Sequence, residues 1–456
     1  MSSPSQLQVP EKWQWFPQAR FGLFIHWGPY AALGRGEQVA NREHLDHREY
    51  AARACRWNPQ HYDARAWADV AVRAGMKYAV LTTRHHDGYC LWDTATTDYS
   101  SAAQAPRRDL VAEYVQAFRA AGLRIGLYYS VADFRLPAFW AGPRQDPEGF
   151  GRFRDYVHAQ VTELCSRYGR IDVMWFDKAE HHSALDWRSA ELVQTMRSLQ
   201  PEVLINQRLG DVPFDSLPEH ERQTGLGTTD EGGSVIRLGD FANSEHHTHG
   251  HPGMLWESCL VPTWRLWGYA IGERWKPTDQ LLDNLVEVVS RRGNLLLNVG
   301  PDGDGRIPAE FTERAEQLGR WLQIHGECIY GAEDGGLTEF VTYGHQIVRG
   351  NALYLVIRHW DRRPTLRLVG LATRVLRARL LTNGQELAVE TQPGAVLLHG
   401  LPAEPPTALF PVIRLECDGR PQAEPWARGP YYGTLEHALT LAQQRGTSVW
   451  ADGRER

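Results

Sequence analysis

IDVMWFDKAE, residues 171–180, is the stretch that decides the fold. Apolar and β-branched residues lead into Trp175 and Phe176, the run ends in the carboxylate of Asp177, and polar, turn-like sequence follows. This pattern is typical of a buried β-strand whose last residue is an acid. In a barrel of parallel strands the carboxyl ends of the strands form the active-site face, so Asp177 is a candidate for catalysis. Its alternative role is to cap the next helix or to pair with a neighbouring basic residue.

Short apolar runs alternate with helical patterns through the first two thirds of the chain. Besides the strand that ends at Asp177, strands are predicted at 21–27, 78–84, 124–130, 203–208, 254–260 and 294–300. Intervening helices are predicted at 63–74, 110–121, 150–168, 184–199, 278–292 and 309–325. Because no glycine-rich phosphate loop follows the first strand, the alternation favours a (β/α) TIM-like barrel over an open doubly wound sheet.

The eighth strand of this barrel is expected to be irregular or missing. Residues 209–253 are rich in Gly, Asp, His and Thr and show no hydrophobic period, so they are interpreted as a long loop. The histidines at 246, 247, 249 and 251 in this loop are expected to be solvated.

The pattern changes after residue 331. Short β-branched runs separated by Gly, Pro and Asn predict a C-terminal antiparallel β-sandwich. We therefore divide the 456 residues into a catalytic barrel at 1–335, a β-sandwich at 336–418 and a C-terminal tail of unknown role at 419–456.

Composition excludes several classes of function. The 49 Lys and Arg against 55 Asp and Glu give no basic excess that would attract nucleic acid or an anionic membrane surface. The six cysteines show no metal-like or disulfide-like spacing, which predicts a reduced, cytoplasmic protein. The N-terminus resembles no secretory signal, and no segment is apolar enough for a membrane span, so no membrane partner is expected. The 17 tryptophans are compatible with flat walls for sugar rings.

Polar side chains fall at or just beyond the predicted strand ends. They are His26, Glu37, His85, His86, Tyr128 or Tyr129, Asp177, Arg208 and Glu257, with Glu245 in the long loop. Two carboxylates among histidines, an arginine and tryptophans are what glycoside hydrolysis uses, since one attacks the anomeric carbon and the other protonates the leaving oxygen. The histidine pair has no further ligand at a familiar metal spacing, so no metal is expected.

The sequence resembles the α-L-fucosidases of glycoside hydrolase family 29. The stretches that carry the resemblance lie in the family's order, and they are FGLFIHWGPY (21–30), AGMKYAVLTTRHHDGYCLWD (74–93), RDLVAEYVQAFRAAGLRIGLYYS (108–130), IDVMWFD (171–177), NQR (206–208), GDFANSEHH (239–247), WESC (256–259) and GNLLLNVGPDGDGRIP (293–308). The resemblance implies a barrel followed by a β-sandwich. It also implies a retaining exo-α-L-fucosidase without metal or organic cofactor, acting on a fucosylated glycan or small fucoside, with a homo-oligomer among the expected assemblies.

The resemblance also assigns roles to individual residues. Asp177 looks like the nucleophile, and Glu245 is the first choice for the acid/base, with Glu257 the second. The implied sugar-binding residues are His26, Glu37, His85, His86, Tyr128, Trp175 and Arg208, and Phe24 and Trp267 are implied to line the pocket for the C6 methyl group.

The chain departs from the family's usual pattern near the implied site. Gln38 stands where the family usually has tryptophan, Lys178 where it has glycine, and NQRLG (206–210) where it has NDRWG. Two alternatives therefore stay open: the same mechanism on a related sugar such as an L-galactoside, and a non-catalytic sugar-binding protein.

Overall fold

The computed structural model describes residues 8–213, 228–229, 235–250, 253–335, 337, 341–424 and 427. The chain divides into two compact units, the first formed by residues 1–281 and 293–320 and the second by 282–292 and 321–456. The domain limits after residues 335 and 418 stay predictions, and most of the tail at 419–456, like His251, lies outside the described residues.

Eight parallel strands build the first unit. They are β1 (Phe21–Ile25), β2 (Tyr78–Arg84), β3 (Arg124–Ser130), β4 (Val173–Asp177), β5 (Leu204–Ile205), β9 (Phe241–Glu245), β10 (Leu255–Leu260) and β11 (Asn294–Val299). Between β5 and β9 lies a small antiparallel sheet of β6 (Asp211–Pro213), β7 (Thr228–Thr229) and β8 (Val235–Arg237). The parallel strands follow the order β5-β4-β3-β2-β1-β11-β10-β9, and a parallel bridge between Asn206 and Phe241 joins the two edges. The predicted (β/α) barrel is thus confirmed as a nearly closed eight-stranded barrel.

All six predicted helices are present, and the described residues also form four shorter α-helices that were not predicted. The helices are α1 (Trp15–Ala19), α2 (Val39–Arg42), α3 (His47–Ala54), α4 (Ala64–Arg73), α5 (Leu110–Ala120), α6 (Pro137–Gln145), α7 (Pro147–Arg167), α8 (Ser189–Leu199), α9 (Thr278–Ser290) and α10 (Ala309–His325). Capping aspartates explain where two of these helices begin. The Asp63 carboxylate accepts hydrogen bonds from two backbone N–H groups at the start of α4, and the Asp109 carboxylate accepts one from a backbone N–H group at the start of α5. None of the described helices is both long and apolar enough to cross a bilayer.

The expectation about the eighth strand was wrong. The strand β9 is a regular five-residue strand that pairs with β10 along its whole length, and it lies inside the stretch interpreted as a loop. Its polar residues Asn243 and Ser244 are buried because Asn206 donates to the Asn243 amide oxygen and the Ser244 hydroxyl donates to a backbone carbonyl. Satisfied polar groups can be buried without an apolar pattern, so hydrophobic period could not reveal this strand.

The second unit is antiparallel. Its strands are β12 (Asp334–Gly335), β13 (Gly344–Arg349), β14 (Ala352–Ile357), β15 (Thr365–Val369), β16 (Val375–Leu380), β17 (Glu386–Gln392), β18 (Ala395–His399) and β19 (Val412–Cys417). They follow the order β12-β13-β14-β19-β16-β17-β18-β15 around a core that includes Leu353, Leu355, Leu398, Ile413 and Leu415. This confirms the predicted β-sandwich.

Candidate active site

Asp177 is the last residue of β4, and its carboxylate is surrounded by hydrogen-bond donors. Its Oδ2 accepts from the Tyr128 hydroxyl at 2.8 Å, and its Oδ1 accepts from Arg208 Nη1 at 2.7 Å and from the Lys178 backbone N–H at 2.9 Å. His86 Nε2 lies 3.5 Å from Oδ2. Burial alone would raise the pKa of Asp177, but the Arg208 charge and the Tyr128 hydrogen bond outweigh it and hold the pKa below its usual value. Asp177 is therefore a carboxylate at neutral pH.

Tyr128, rather than Tyr129, is the tyrosine that faces this carboxylate. Burial raises the pKa of Tyr128 well above its usual value, so the hydroxyl keeps its proton and donates a hydrogen bond to Asp177. Tyr129 points to the other side of β3, where its hydroxyl accepts from Arg84 and donates to Gln160. The alternation of side chains along a strand separates the two tyrosines, which the sequence left open.

Arg208 connects Asp177 with Glu245. After β5 the chain enters a short turn at Gln207–Leu209, which directs the Arg208 guanidinium across the barrel mouth. Its Nη2 donates to Glu245 Oε2 at 2.7 Å, while Nη1 holds Asp177 at the same distance. The guanidinium also lies over the ring of Trp175, 4.9 Å from its centroid. Glu245 itself is the last residue of β9, and its side chain is 42% exposed.

Glu257 lies deeper in the barrel and is fully buried. Its carboxyl accepts from the Tyr78 hydroxyl at 2.5 Å, from Trp175 Nε1 at 3.0 Å and from the Asn243 amide at 3.3 Å. Burial raises the pKa of Glu257 to about 7. Of the two glutamates considered for the acid/base, Glu245 alone is exposed to an incoming substrate.

Three histidines lie beside Asp177 and Glu245. His26 Nδ1 bonds to Asn298 Oδ1 at 2.7 Å, and because an amide oxygen only accepts, the proton sits on Nδ1 and Nε2 is an acceptor. The His85 ring stacks on Tyr128 and lies 4.0 Å from the His86 ring, and no described group bonds its buried Nδ1. Burial lowers the pKa of all three histidines, so they are neutral hydrogen-bonding groups at neutral pH.

An aromatic wall closes the pocket next to the histidines. Phe24 packs 5.1 Å from Trp175 and 5.9 Å from Trp267, centroid to centroid, and all three rings are under 10% exposed. Trp267 stacks on His26 at 5.1 Å. These three aromatic residues, which were candidates from the sequence, come together in the fold from β1, β4 and the segment after β10.

Glu37 hydrogen-bonds the backbone of this aromatic wall through one carboxylate oxygen, and its other carboxylate oxygen accepts no hydrogen bond from a described residue. Its Oε2 accepts from the backbone N–H groups of Trp267 at 3.1 Å and Gly268 at 2.9 Å. Its Oε1 is buried without a hydrogen bond from any described residue, with Arg42 Nη2 3.7 Å away. A buried acceptor of this kind is available to a ligand hydroxyl.

One neighbour of the pocket was missed from the sequence. Asn298 fixes His26 and donates to the Trp267 carbonyl at 2.6 Å; the signal was a polar residue inside the apolar run NLLLNVG. His246 is exposed, as expected, and its ring lies 4.9 Å from the Trp267 ring. Within the described ranges no three His, Cys, Asp or Glu residues cluster as metal ligands.

The barrel and the two carboxylates held by one arginine at its mouth define the class of protein: a glycoside hydrolase, in which a carboxylate pair acts on a sugar bound against aromatic rings. The family model for α-L-fucosidase matches residues 2–327. The chain belongs to the α-L-fucosidase family, and with it to the retaining glycoside hydrolases, which confirms the resemblance and the predicted activity.

Similar proteins agree with this placement. Tissue α-L-fucosidase from Bos taurus is 30% identical over 426 residues, covering 87% of this chain and 86% of the relative. The solved α-L-fucosidase isoenzyme 1 from Paenibacillus thiaminolyticus is 38% identical, with a TM-score of 0.79 over 90% of this chain and 99% of that chain. A family 29 α-L-fucosidase from Bacteroides thetaiotaomicron, solved as a trapped covalent intermediate, is 27% identical with a TM-score of 0.80 over 92% of this chain and 98% of that chain.

Proposed function

We propose that the protein removes terminal α-L-fucosyl residues from oligosaccharides or glycoconjugates, with Asp177 as nucleophile and Glu245 as acid/base. The observation that carries this assignment is Arg208, which bonds both carboxylates at 2.7 Å. It supports a common reaction centre for two residues that are far apart in sequence. Glu257 is assigned no proton transfer, because a fully buried carboxyl has no path to the leaving group.

The reaction then proceeds in two displacements. Asp177 attacks C1 of the fucosyl unit while Glu245 gives its proton to the glycosidic oxygen, so the C1–O bond breaks and the aglycone leaves as an alcohol. In the second step Glu245 takes a proton from water, the water oxygen attacks C1, and the ester bond to Asp177 breaks. Two inversions give net retention.

Arg208 couples these two steps through charge. It carries one positive charge for two carboxylates, and burial is outweighed by Asp177 and Glu245, which raise its pKa. In the covalent intermediate Asp177 is a neutral ester, so the charge balance around Arg208 differs between the two steps.

The pocket supports a terminal fucose. His26, His85, His86 and Glu37 present buried acceptors and donors for ring hydroxyls, and Phe24, Trp175 and Trp267 offer an apolar wall for the C6 methyl group. Burying a methyl group against apolar walls is favourable, whereas the 6-hydroxyl of an L-galactoside would lose its hydration there. The carboxylate pair on Arg208 likewise favours an enzyme over a non-catalytic sugar-binding protein.

We also propose a reducing, cytoplasmic location, supported by six free cysteines of which five are buried. Self-association stays a prediction, which sedimentation of the purified chain tests.

The decisive experiment is to trap the enzyme with 2-fluoro-fucosyl fluoride and to map the label by mass spectrometry. Cleavage after Arg170 and Lys178 releases residues 171–178, which contain both Asp177 and a built-in control, Asp172. Asp172 lies at the opposite end of the strand, where Arg124 Nη1 donates to it at 2.9 Å. We expect the label on Asp177 alone. A label elsewhere, or a product of inverted anomeric configuration, would overturn the assignment.

A further inference from the structure

Ser130 is the last residue of β3, and its hydroxyl lies against the imidazole of His86. The Ser130 Oγ is 2.7 Å from His86 Nδ1, and both residues are buried. The other ring nitrogen of His86, Nε2, lies 3.5 Å from Asp177 Oδ2. The His86 ring therefore stands between the Ser130 hydroxyl and the carboxylate of the proposed nucleophile.

We propose that Ser130 is a positioning residue of the reaction centre: its hydroxyl donates to His86 Nδ1 and thereby keeps the proton of His86 on Nε2, beside Asp177 and available to a hydroxyl of the bound sugar. This inference rests on the proposed function, because it places the donor next to the proposed nucleophile. It goes further by assigning the tautomer of His86 and the residue that selects it.

Two arrangements of protons are open to this pair of residues. Burial lowers the pKa of His86, so its neutral imidazole carries one proton. The Ser130 hydroxyl also has one proton, and it can reach His86 Nδ1 at 2.7 Å or the Ala132 carbonyl oxygen at 3.1 Å. If Ser130 donates to His86, the His86 proton is on Nε2. If Ser130 donates to Ala132, His86 donates from Nδ1 and its Nε2 has only a lone pair.

The charge of Asp177 favours the first arrangement. Arg208 and Tyr128 hold the pKa of Asp177 below its usual value, so Oδ2 carries negative charge. With the proton on Nε2, a polar N–H group lies 3.5 Å from that charge, whereas with the proton on Nδ1 a lone pair lies there. In a buried site this attraction or repulsion is weakly screened. The shorter distance from Oγ to His86 than to Ala132 agrees with the same arrangement.

The backbone of Ser130 is fixed from both neighbouring strands. Arg84, at the end of β2, donates from Nη1 to the Ser130 carbonyl at 3.0 Å and pairs with the buried Asp133 at 2.9 Å. In the β3–β4 register Ser130 stands opposite Asp177, and the Val131 N–H donates to the Asp177 backbone carbonyl at 3.0 Å. The same strand ends therefore position the Ser130 hydroxyl and the Asp177 carboxylate.

His26 and His86 then present opposite groups to a sugar. Asn298 accepts from His26 Nδ1, which leaves His26 Nε2 as an acceptor, whereas Ser130 donates to His86 Nδ1, which makes His86 Nε2 a donor. Both rings contact His85, with centroid distances of 5.6 Å from His26 and 4.0 Å from His86. A hydroxyl both donates and accepts, so the two imidazoles together suit neighbouring sugar hydroxyls.

The first test is a double-mutant cycle on kcat/KM for 4-nitrophenyl α-L-fucoside. We expect Ser130→Ala to lower kcat/KM by about tenfold, because His86 Nδ1 loses its donor and the Nε2–H form loses its advantage. In His86→Gln the side-chain amide carries its own N–H donor, which needs no selection by Ser130. Adding Ser130→Ala to His86→Gln should therefore cost less than about twofold.

The matched control is Ser101→Ala. Ser101 is a buried serine whose hydroxyl donates to the Arg108 carbonyl at 2.7 Å, outside the site, so its loss should leave kcat/KM at the wild-type value. Wild-type activity of Ser130→Ala, or an equal loss from Ser130→Ala in both backgrounds, would overturn the proposal, since Ser130 would then not act through His86.

A second measurement needs no substrate. Nitrogen-15 NMR of the histidine side chains at neutral pH distinguishes protonated from unprotonated ring nitrogens, and the His86 signals are identified by their absence from His86→Gln. We expect His86 of the wild type to carry its proton on Nε2, and Ser130→Ala to show a mixture of the two tautomers. A wild-type proton on Nδ1, or an unchanged tautomer in Ser130→Ala, would overturn the role of Ser130 while hydrolysis of the fucoside upholds the proposed function. A wild type that does not hydrolyse the fucoside would overturn both.

Discussion

Glu245 and Glu257 lie on neighbouring strands, yet they belong to different layers of the barrel. In the β9–β10 register Glu245 stands opposite Cys259, and Glu257 stands opposite Asn243. Glu245 is thus two residues nearer the barrel mouth, roughly 7 Å along the strand direction. It belongs to the strand-end layer with Asp177 and Arg208, whereas Glu257 belongs to a buried layer with Tyr78, Trp175 and Asn243. Depth in the barrel, and not residue type, therefore distinguishes the glutamate at the proposed reaction centre from the glutamate that supports it.

The buried layer holds the strand-end layer in place. Asn243 links Glu257 to Asn206, whose amide also donates to the Phe176 carbonyl at 2.9 Å, one residue before Asp177. Trp175 donates to Glu257 and carries the guanidinium of Arg208 on its ring. Strands β4, β9 and β10 and Asn206 after β5 are therefore cross-linked beneath Asp177, Arg208 and Glu245.

Removing the proposed nucleophile should have the largest effect. Asp177→Ala is expected to lower kcat for aryl fucosides by at least about a thousandfold, because the proposed mechanism needs the Asp177 carboxylate to form the bond to C1. Azide, a small external nucleophile, should restore part of the rate. Steady-state rates with and without azide check this, and near-wild-type activity of the variant would refute the role of Asp177.

Removing the acid/base should have a smaller and more selective effect. Glu245→Ala is expected to lose about a hundredfold to a thousandfold with poor leaving groups, which need a proton. With an activated leaving group the first step should be nearly unaffected, and the slow second step should let the fucosyl-enzyme accumulate. Pre-steady-state bursts measure this, and an equal loss for all leaving groups would contradict it.

A substitution of the glutamate in the buried layer should behave differently. Glu257→Gln touches no reacting atom, so we expect at most about a tenfold loss in kcat/KM, independent of the leaving group. A plot of rate against leaving-group pKa should keep the wild-type slope. If this slope became steeper in Glu257→Gln and not in Glu245→Ala, the two glutamates would exchange roles.

The smallest effect should be on stability. The pKa of Glu257 is raised from 4.5 to about 7 in the folded state, so the folded protein binds this proton more tightly than the unfolded chain. The resulting stabilisation is complete below pH 4.5 and is lost as the pH rises through 7, a change on the order of 3 kcal/mol. Urea unfolding at pH 5 and pH 8 should show this loss in the wild type and not in Glu257→Gln. Parallel pH dependences in the two proteins would contradict it.

Two strands with a strong apolar signal were predicted to the residue, β1, β10 and β11 were predicted one or two residues too long, and β9, which depends on polar pairs, was not predicted. The predicted bounds of β2 and β3 agree with the structure, since nearly every residue in them is buried. The strand predicted at 203–208 is only Leu204–Ile205, because the chain turns at Asn206 to present Arg208. At the site, the sequence named the residues that meet around Asp177, but it missed Asn298.

The sequence by itself determined the barrel, the position of Asp177 at a strand end and the family to which the chain belongs. Strand periodicity and the order of the motifs depend on local residue patterns, so they can be read from the sequence. Only the tertiary structure decided which glutamate faces a substrate and that one arginine joins two carboxylates. These facts depend on the register between β9 and β10 and on the turn after β5, where contacts between distant residues fix each side chain's depth.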